Sequence, residues 1–328
     1  NPAPEAFPVE AVRKITREIL EEYPILALQY SVTEGYQPLR DRLVHLVKER
    51  YGIGRDFDQI LVVSGAQQGI CLAAHCLLDD GDKVISENPS FIGSLNAFRS
   101  FRSQLVGVEM GPDGIDTEKL EQALGAPVWA LNDANAAALG EYAFGGGRGC
   151  RNAVFITLGT GVGGGLVLDG RLYGGARGIA GELGHFTLYQ EGPACPCGKR
   201  GCFEHYASVT ALIHRAHEAA PETEWNGRKI FERAAQGDAV LLRVLETWID
   251  DIAAGLTGLV HLFNPEAVLI GGGVSAQEKL LIEPLRRRVL QGVMPRFAEG
   301  LRVEAATLGN DAGLLGAVRF FLEREGRL

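Results

Sequence analysis

The sequence predicts an α/β fold. Short apolar segments typical of buried strands alternate with amphipathic helical patterns through the first 124 residues, and this βα repetition predicts a mainly parallel sheet. Farther along the chain, apolar strand patterns end at polar residues or at clusters of glycine. Because α/β folds bind ligands at the carboxyl ends of their strands, these positions are candidate binding residues.

The first 124 residues contain five helical patterns and three strand patterns. The helical patterns cover 8–22, 36–51, the Ala- and Leu-rich segment after Gly65, 90–102 and 116–124, and the strand patterns cover Ile60–Ser64, Lys83–Glu87 and Gln104–Glu109. The segment Gly65–Gln68 connects the first strand to its helix, and by itself it is an ordinary strand-to-helix turn.

The remaining residues continue the same mixture of elements. Strand patterns cover Val128–Leu131, Phe155–Leu158 and Val268–Gly273, and helical patterns cover 208–218, 227–236, 238–263 and Leu280–Leu290. Glycines 159, 161 and 163–165 follow the second of these strands. Consecutive backbone N–H groups in a glycine-rich turn can bind an anion, although a plain glycine-rich hairpin has the same pattern.

The composition is that of a globular enzyme in a reducing cytoplasm. The 328 residues suffice for one large or two ordinary domains, and the net charge of −9 opposes binding to nucleic acid. No apolar run approaches membrane-spanning length, and no signal peptide is recognisable. The thiols of Cys71, Cys76 and Cys150 are scattered along the chain, which is typical of buried cysteines and not of a disulfide framework.

One histidine and three cysteines are concentrated in a short glycine- and proline-rich segment that ends at Glu204. Their spacing is His-x9-Cys-x-Cys-x4-Cys, and four such ligands suit a closed tetrahedral zinc site. With every position filled by protein, the zinc is expected to be structural, and the ligands are His185, Cys195, Cys197 and Cys202.

Five motifs in the first part occur in the order and spacing of a known enzyme family. They are Leu28–Arg40, Ser64–Gln68, Gly81–Val84, Glu87–Phe91 and Asp113–Asp116. On these motifs residues 1–124 resemble the N-terminal part of a fold-type I aminotransferase, an enzyme that depends on pyridoxal phosphate.

The resemblance implies remnants of a cofactor site. The loop of Gly65, Ala66 and Gln67 is similar to the one that receives the cofactor phosphate at a helix N-terminus, and Phe91 stands where a ring stacks on the pyridine. The family also needs a downstream lysine for the Schiff base, in a region that here looks like a different protein. Binding of pyridoxal phosphate is therefore not expected, and a pyridoxal-phosphate enzyme is the third-ranked reading.

Glycine-rich motifs carry a second resemblance from about Ala126 to the C-terminus. They are Asn132–Leu139, Thr157–Gly165, Gly178–His185 with the cysteine segment, Asn264-Pro265, Ile270–Ser275 and Leu308–Gly313. On these motifs the second part is identified as a member of the ROK family of sugar kinases and sugar-responsive repressors. The family implies an actin-like ATPase fold, also described as ribonuclease H-like.

The second resemblance implies a sugar site and an ATP site. Asp133 is the candidate base that accepts the proton of a sugar hydroxyl during phosphoryl transfer, and helix capping by Asn132 and Asp133 is the alternative. The implied sugar ligands are Asn132, Asp133, Glu182, His185 and Glu204. The implied ATP loops consist of Gly159, Thr160 and Gly161, and of Gly271, Gly272 and Gly273.

The two resemblances together predict a chimera. A partial aminotransferase-like segment over 1–125 is joined to a sugar-kinase-like domain over 126–328, whether by natural fusion, gene assembly or design. The Asp-x-Gly-Gly-Thr loop that grips the ATP phosphates and Mg²⁺ in the family's kinases does not occur in this chain. We therefore expect an impaired ATP-dependent kinase scaffold for the 6-hydroxyl of a hexose or N-acetylhexosamine.

The second hypothesis for the function is a non-enzymatic, sugar-binding regulatory protein. The family's repressors carry a helix-turn-helix that binds DNA, whereas residues 1–124 show no basic recognition helix. The expected partners are therefore a small sugar and MgATP, without nucleic acid or membrane. Both parent families commonly dimerise, so a homodimer is possible.

Overall fold

The computed structural model describes residues 7–30, 32–51, 54–55, 57–111, 114–221 and 223–328, with only the backbone described at 49–51. The chain divides into two compact units, residues 1–128 (unit 1) and residues 129–328 (unit 2). Asp113 of the Asp113–Asp116 motif and Ser31 of the Leu28–Arg40 motif lie outside the described residues.

Unit 1 alternates helices with strands. Its described elements are α1 (Val9–Glu22), α2 (Pro24–Leu28), α3 (Gln37–Tyr51), α4 (Ala66–Leu77), β1 (Lys83–Asn88), α5 (Ile92–Ser100), β2 (Gln104–Gly111), β3 (Gly114–Ile115) and α6 (Thr117–Leu124). Strands β1 and β2 pair in parallel, with Lys83 opposite Gln104, and β3 pairs antiparallel with β2. The parallel pair and the helix that connects its strands confirm the βα repetition predicted for this region.

The predicted strand over Ile60–Ser64 is wrong. These residues are irregular, and the N–H of Val62 donates to the carbonyl of Glu34 at 3.0 Å. A strand needs a neighbour along its whole length to satisfy its N–H and C=O groups. The apolar composition of Ile60–Ser64 favoured a strand, but the described part of unit 1 provides no neighbouring strand for this segment to pair with.

Unit 2 contains a five-stranded mixed sheet surrounded by helices. Its described elements are α7 (Asp133–Phe144), β4 (Ala153–Leu158), β5 (Val162–Leu168), β6 (Arg171–Leu172), short 3₁₀ turns at Gly175–Arg177 and Leu183–His185, α8 (Glu204–Ala207), α9 (Val209–Ala219), α10 (Gly227–Ala235), α11 (Ala239–Phe263), β7 (Ala267–Gly271), a π-helical turn at Glu278–Ile282, α12 (Glu283–Gly292), α13 (Pro295–Ala298), β8 (Arg302–Ala305) and α14 (Asp311–Arg324).

The strand order of this sheet is β6-β5-β4-β7-β8. Strands β4, β7 and β8 run in parallel, whereas β5 returns antiparallel to β4 after a tight turn. The carboxyl ends of β4, β7 and β8 therefore meet at one edge of the sheet. This edge is where an α/β fold presents a ligand site.

The core of unit 2 lies between the sheet and the long helix α11. Trp248 on this helix is fully buried, and its indole N–H donates to the carbonyl of Ser208 at 3.1 Å. Ile252 and Leu256 extend the same buried face by one turn each. Because side chains four residues apart share a face of a helix, α11 supplies a continuous apolar stripe to the core.

The predicted buried strand over Val128–Leu131 is also wrong. The segment is irregular, and Trp129 is 46% exposed. The Trp129 indole N–H donates to Glu325 at 3.0 Å, and the guanidinium of Arg324 lies over its ring. No strand lies beside this segment in the described part of the chain. Val128–Leu131 therefore does not form a strand, although its residues are apolar.

Three of the glycines that the sequence placed in an anion-binding turn belong to a strand instead. Gly163, Gly164 and Gly165 lie within β5. A Cβ on Gly165 would come within 2.4 Å of the Cβ of Ala138, and one on Gly164 within 2.6 Å of Leu183. Glycine is required there because α7 and the Leu183 turn pack directly on the strand, which leaves only Gly159–Gly161 as the turn.

Among the described residues, no helix combines the length and apolar character needed to cross a membrane.

Candidate functional site

A cleft of about 730 Å³ opens at the edge of the sheet where β4, β7 and β8 end. Its walls come from the first turns of α7 and α14, from the loops that follow the three strands, and from the Leu183–His185 turn. The lining includes Asp133, Glu141, Gly159, Thr160, Gly161, Glu182, His185, Glu204, Gly271, Gly272, Gly273, Ala306, Gly309 and Asn310. This is a single polar cleft built from segments far apart in the sequence.

The β4–β5 turn forms one side of the cleft. Its Gly159 N–H donates to the carbonyl of Gly161 at 3.0 Å, and the hydroxyl of Thr210 donates to the carbonyl of Thr160 at 2.7 Å. A Cβ on Gly161 would come within 2.4 Å of Glu204. The glycine therefore allows the Glu204 carboxylate to approach the turn, where it accepts the N–H of Val162 at 2.9 Å.

The Gly271–Gly273 segment begins at the last residue of β7 and lines the same cleft. Gly272 has φ +93°, and a Cβ there would come within 2.2 Å of the Leu158 carbonyl. A Cβ on Gly273 would meet nothing within 4 Å, so this residue borders open space. The backbone can approach a ligand closely here because no side chain intervenes.

The candidate sugar ligands are gathered at the cleft, with one exception. Asp133 is the first residue of α7, and Glu182, His185 and Glu204 line the cleft with it. Asn132 instead caps α7, accepting the N–H of Asn135 on its side-chain oxygen at 3.1 Å, and it is not among the lining residues. The structure thus gives Asn132 the capping geometry that the sequence left open as its alternative.

The four candidate metal ligands form a compact cluster beside the cleft. One ligand atom from each of His185, Cys195, Cys197 and Cys202 lies within 4.8 Å of all the others. The Cys197 and Cys202 sulfurs are 3.5 Å apart, and the Cys195 sulfur is 3.7 Å from Nδ1 of His185. A tetrahedral zinc with bonds of about 2.3 Å holds neighbouring sulfurs about 3.8 Å apart, so this donor set fits such an ion.

The pKa values of Cys197 and Cys202 are shifted in opposite directions. The main-chain N–H of Lys199 is the chief cause that lowers the pKa of Cys197, whereas burial raises the pKa of Cys202 to about 12. A metal site requires thiolates, so a bound cation would have to offset the cost of burying the charge on Cys202.

The structure adds cleft residues that the sequence did not single out as site residues. Glu141 lies on α7, and Ala306, Gly309 and Asn310 lie in the loop after β8. Glu141 is a fully buried acid in an otherwise alanine-rich helix. An ionisable residue in such an apolar pattern was the available signal for a site residue.

The four residues assigned to a cofactor remnant lie in unit 1. Gly65 precedes α4 with φ +148°, the Gln67 side chain donates to the carbonyl of Gly93 at 2.9 Å, and Phe91 is 71% exposed. Ala66 is the first residue of α4.

The model of the ROK family matches residues 114–324, so the chain belongs to the ROK family. Unit 2 accordingly has the α/β, actin-like fold of these proteins. The glucokinase of Thermotoga maritima is 41% identical over 223 residues, which cover 64% of this chain and 70% of that protein. The xylose repressor of Bacillus subtilis is 31% identical over 197 residues, which cover 60% of this chain and 51% of the repressor.

Among solved structures, the ROK family glucokinase from Streptomyces griseus in complex with glucose and AMPPNP is similar, with a TM-score of 0.57 and 33% identity. The match covers 71% of this chain and 88% of that one. A kynurenine aminotransferase from Pyrococcus horikoshii matches 39% of this chain with a TM-score of only 0.34, too low to establish a shared fold. The aminotransferase resemblance therefore stays a prediction.

Proposed function

We propose that this chain is an ATP-dependent sugar kinase scaffold, which binds a hexose or an N-acetylhexosamine and directs the phosphoryl group to its 6-hydroxyl. The observation that supports this most strongly is the single cleft where Asp133, Glu182, His185 and Glu204 face two glycine loops. Its location at the carboxyl edge of the sheet suits both ligands. Glucokinases among the relatives, one of them with glucose and AMPPNP bound, support the same assignment.

Asp133 is the proposed base. It is exposed at the first position of α7, and its Oδ1 accepts the N–H of Ala134 at 2.8 Å. The carboxylate is thus oriented by its own helix and opens to the cleft. In phosphoryl transfer such a group accepts the proton of the attacking hydroxyl, while the donor phosphates rest on backbone N–H groups of the glycine loops.

We propose further that turnover by this chain is slow. The sequence contains no Asp-x-Gly-Gly-Thr segment. In the family's kinases this segment forms the loop that binds the ATP phosphates and Mg²⁺. Because positioning and charge stabilisation supply most of the catalysis in phosphoryl transfer, losing one phosphate loop lowers the rate far more than it lowers sugar affinity.

Hexose-dependent release of ADP from MgATP tests the proposed chemistry. We expect Asp133→Asn to reduce the wild-type rate on the order of a hundredfold or more, because the base is lost. Glucose affinity, measured by calorimetry, should fall far less than the rate, because the asparagine side chain keeps one oxygen that can accept a hydrogen bond from the sugar. Asp169→Asn is the matched control, since Asp169 lies in the β5–β6 turn at φ +50°, outside the cleft lining, and should leave the rate unchanged.

Two results would contradict the proposal. An Asp133→Asn variant as fast as the wild type would remove Asp133 as the base. A folded wild-type protein that binds neither glucose nor any other hexose would remove the sugar site. Sugar binding without ADP release above the variant would identify a binding scaffold that does not turn over.

A sugar-binding regulatory protein is the second candidate, and the similarity to xylose repressors favours it. The same cleft would then bind a sugar as an effector. A mobility-shift assay at low salt tests the DNA-binding form of this candidate, because a repressor shifts an operator fragment and releases it when sugar is added. Since residues 1–124 show no basic recognition helix, we expect no shift.

We also propose a structural zinc ion held by His185, Cys195, Cys197 and Cys202. The ion would fix the loop that carries Glu204 and would hold the His185 ring against the cleft. Metal analysis should give one zinc per chain, and Cys195→Ser should lose it together with at least tenfold in glucose affinity. Cys76→Ser in unit 1 is the control, because the structure exposes this thiol, which the sequence had predicted to be buried. A zinc-free protein that binds glucose as tightly as the loaded one contradicts the proposal.

For unit 1 we propose an origin in an aminotransferase, without its catalysis. The alternating helices and strands and the parallel pair β1–β2 support this origin. An absorbance band typical of an internal aldimine after addition of pyridoxal phosphate would contradict the proposed loss of that chemistry.

A further inference from the structure

Glu141 combines complete burial with an acidic side chain. It is on α7, and its relative exposure is 0%. Burying a carboxylate costs free energy unless its oxygens are satisfied by hydrogen bonds. Among the described residues no Lys or Arg side chain forms an ion pair with it, so its partners are all uncharged.

Four donors converge on this carboxylate from two segments of the chain. The N–H groups of Thr307 and Leu308 donate to Oε1 at 2.8 and 2.7 Å. The N–H of Gly146 donates to Oε2 at 3.0 Å, and the Thr307 hydroxyl donates to the same oxygen at 3.2 Å. Both oxygens act as acceptors, which is the role of an ionised carboxylate.

The main target of Glu141 is the loop Ala306–Asn310, which joins β8 to α14. Ala306, Gly309 and Asn310 of this loop line the cleft. The Ala306 N–H donates to the carbonyl of Ile270 at 2.8 Å, which places the loop directly beside the Gly271–Gly273 segment. The carboxylate thus holds the main chain of the loop at Thr307 and Leu308, while Ala306, Gly309 and Asn310 of the same loop line the cleft.

Gly145 lies very close to the carboxylate of Glu141. A Cβ on Gly145 would come within 2.1 Å of Oε2 of Glu141 and within 2.9 Å of the Thr307 hydroxyl. Gly147 also returns its N–H to the Glu141 carbonyl at 2.9 Å. The end of α7 is therefore shaped around the carboxylate.

We propose that Glu141 is a positioning residue for the nucleotide side of the cleft. It sets the Ala306–Asn310 loop against the Gly271–Gly273 segment, and so fixes the shape of the wall that receives the nucleotide. This rests on the proposed function, which assigns the Gly271–Gly273 segment to ATP. The hydrogen bonds of the Glu141 side chain among the described residues go to Gly146, Thr307 and Leu308 and not to the candidate sugar-binding residues, so its effect is expected on the nucleotide.

Calorimetry on the full chain, with Mg²⁺ and AMPPNP as one probe and glucose as the other, tests the assignment. Glu141→Gln keeps the volume but turns one acceptor oxygen into an NH₂ donor that faces N–H groups. We expect the dissociation constant for AMPPNP to rise on the order of tenfold to a hundredfold, and the constant for glucose to stay within about twofold. A residue that merely stabilised the unit would weaken both ligands together.

Two further variants protect the test against simple unfolding. Thr307→Val removes a single donor from an exposed side chain and should weaken AMPPNP binding by about twofold to fivefold. Asp238→Ala removes the cap of α11, which costs stability without touching the Ala306–Asn310 loop, and should bind both ligands as the wild type does.

The outcomes separate this inference from the proposed function. If the wild type binds AMPPNP and neither Glu141→Gln nor Thr307→Val binds it more weakly, the positioning role is wrong and the kinase assignment stands. If the folded wild type binds no AMPPNP, the assignment of the nucleotide site fails and the inference fails with it. Equal losses for AMPPNP and glucose in Glu141→Gln would also overturn it.

Discussion

The side chain of Tyr189 connects the segment that carries the candidate metal ligands, residues 185–202, to the helical part of unit 2. Its hydroxyl donates to Oδ1 of Asp251 on α11 at 2.6 Å, and its ring meets Tyr206 edge-on with centroids 4.8 Å apart. The guanidinium of Arg215 on α9 contacts the other oxygen of Asp251. The hydrogen bond to Asp251 is the main cause that raises the pKa of Tyr189 to about 12, with burial adding to it.

This perturbation predicts a dependence of stability on alkaline pH. The pKa is higher in the folded chain than the ordinary value of 10.0, so the contribution of Tyr189 is fully present below pH 10 and is lost as the pH rises through about 12. Tyr189→Phe removes the hydrogen bond. We therefore expect the gap in urea midpoint between wild type and variant to be largest near neutral pH and to narrow above pH 10.

Tyr173→Phe is the control for this measurement. Its side chain is 45% exposed, as is that of Tyr189, and it lies outside the contact with Asp251. A gap for Tyr189→Phe that stays constant from neutral to strongly alkaline pH would show that the hydrogen bond does not stabilise the protonated phenol.

At the scale of elements, the crossing of α7 and α14 fixes two walls of the cleft relative to each other. The helices meet at glycines: a Cβ on Gly140 would come within 2.1 Å of the Ala312 carbonyl, and one on Gly316 within 1.7 Å of the Ala136 carbonyl. Close backbone approach of this kind is possible only without side chains at the crossing. Residues in the first turn of each helix line the cleft, Asp133 on α7 and Ala312 on α14, so we expect the crossing to set its width.

Two alanine substitutions on α14 should therefore act in opposite directions. Gly316→Ala adds a methyl group that would clash with the backbone of α7. It should therefore reduce the free energy of unfolding of unit 2 by about 2 to 3 kcal/mol. Gly313→Ala meets nothing within 4 Å, so it should raise that free energy by about 0.5 to 1 kcal/mol through helix propensity. Urea denaturation measures both, and equal effects of the two would contradict the close crossing.

The sequence predicted elements better than it predicted their partners. The helices that the sequence predicted in both units and the strands β1, β2, β4 and β7 lie where the apolar periodicity places them, with ends shifted by a few residues, whereas β8 and α14 were not predicted. Ile60–Ser64 and Val128–Leu131 are also mainly apolar, yet neither is a strand. Periodicity reports the tendency of one segment, whereas a strand also requires an adjacent strand to bond with.

At the scale of the whole molecule, the two units differ in how much apolar surface each buries. The buried apolar side chains among the described residues of unit 1 are Ala74, Ala97 and Val108. Unit 2 has a large core that includes Trp248, Ile252 and Leu256 on α11 and the apolar residues of β4 and β7. Since burial is the main favourable term in folding, unit 1 is expected to be much the less stable.

Hydrogen exchange measured by mass spectrometry on the full chain tests this difference. Amides of β1 and β2 should exchange at least tenfold faster than those of β4 and β7, because unit 1 opens with a smaller free-energy cost. In a thermal melt followed by exchange, unit 1 should lose protection first. Equal protection of the two pairs of strands would show that the units unfold as one.

Local chemistry in the sequence was sufficient to identify most of the candidate site. Cysteine and histidine spacing predicted the cluster of four candidate metal ligands, and the family resemblance carried by the glycine motifs predicted both loops that line the cleft, because these signals depend on residue type and short-range order. Glu141 and the Ala306–Asn310 loop became visible only in the folded chain. They are 165 or more positions apart in sequence, and only the packing of α7, β8 and α14 brings the carboxylate to its donors.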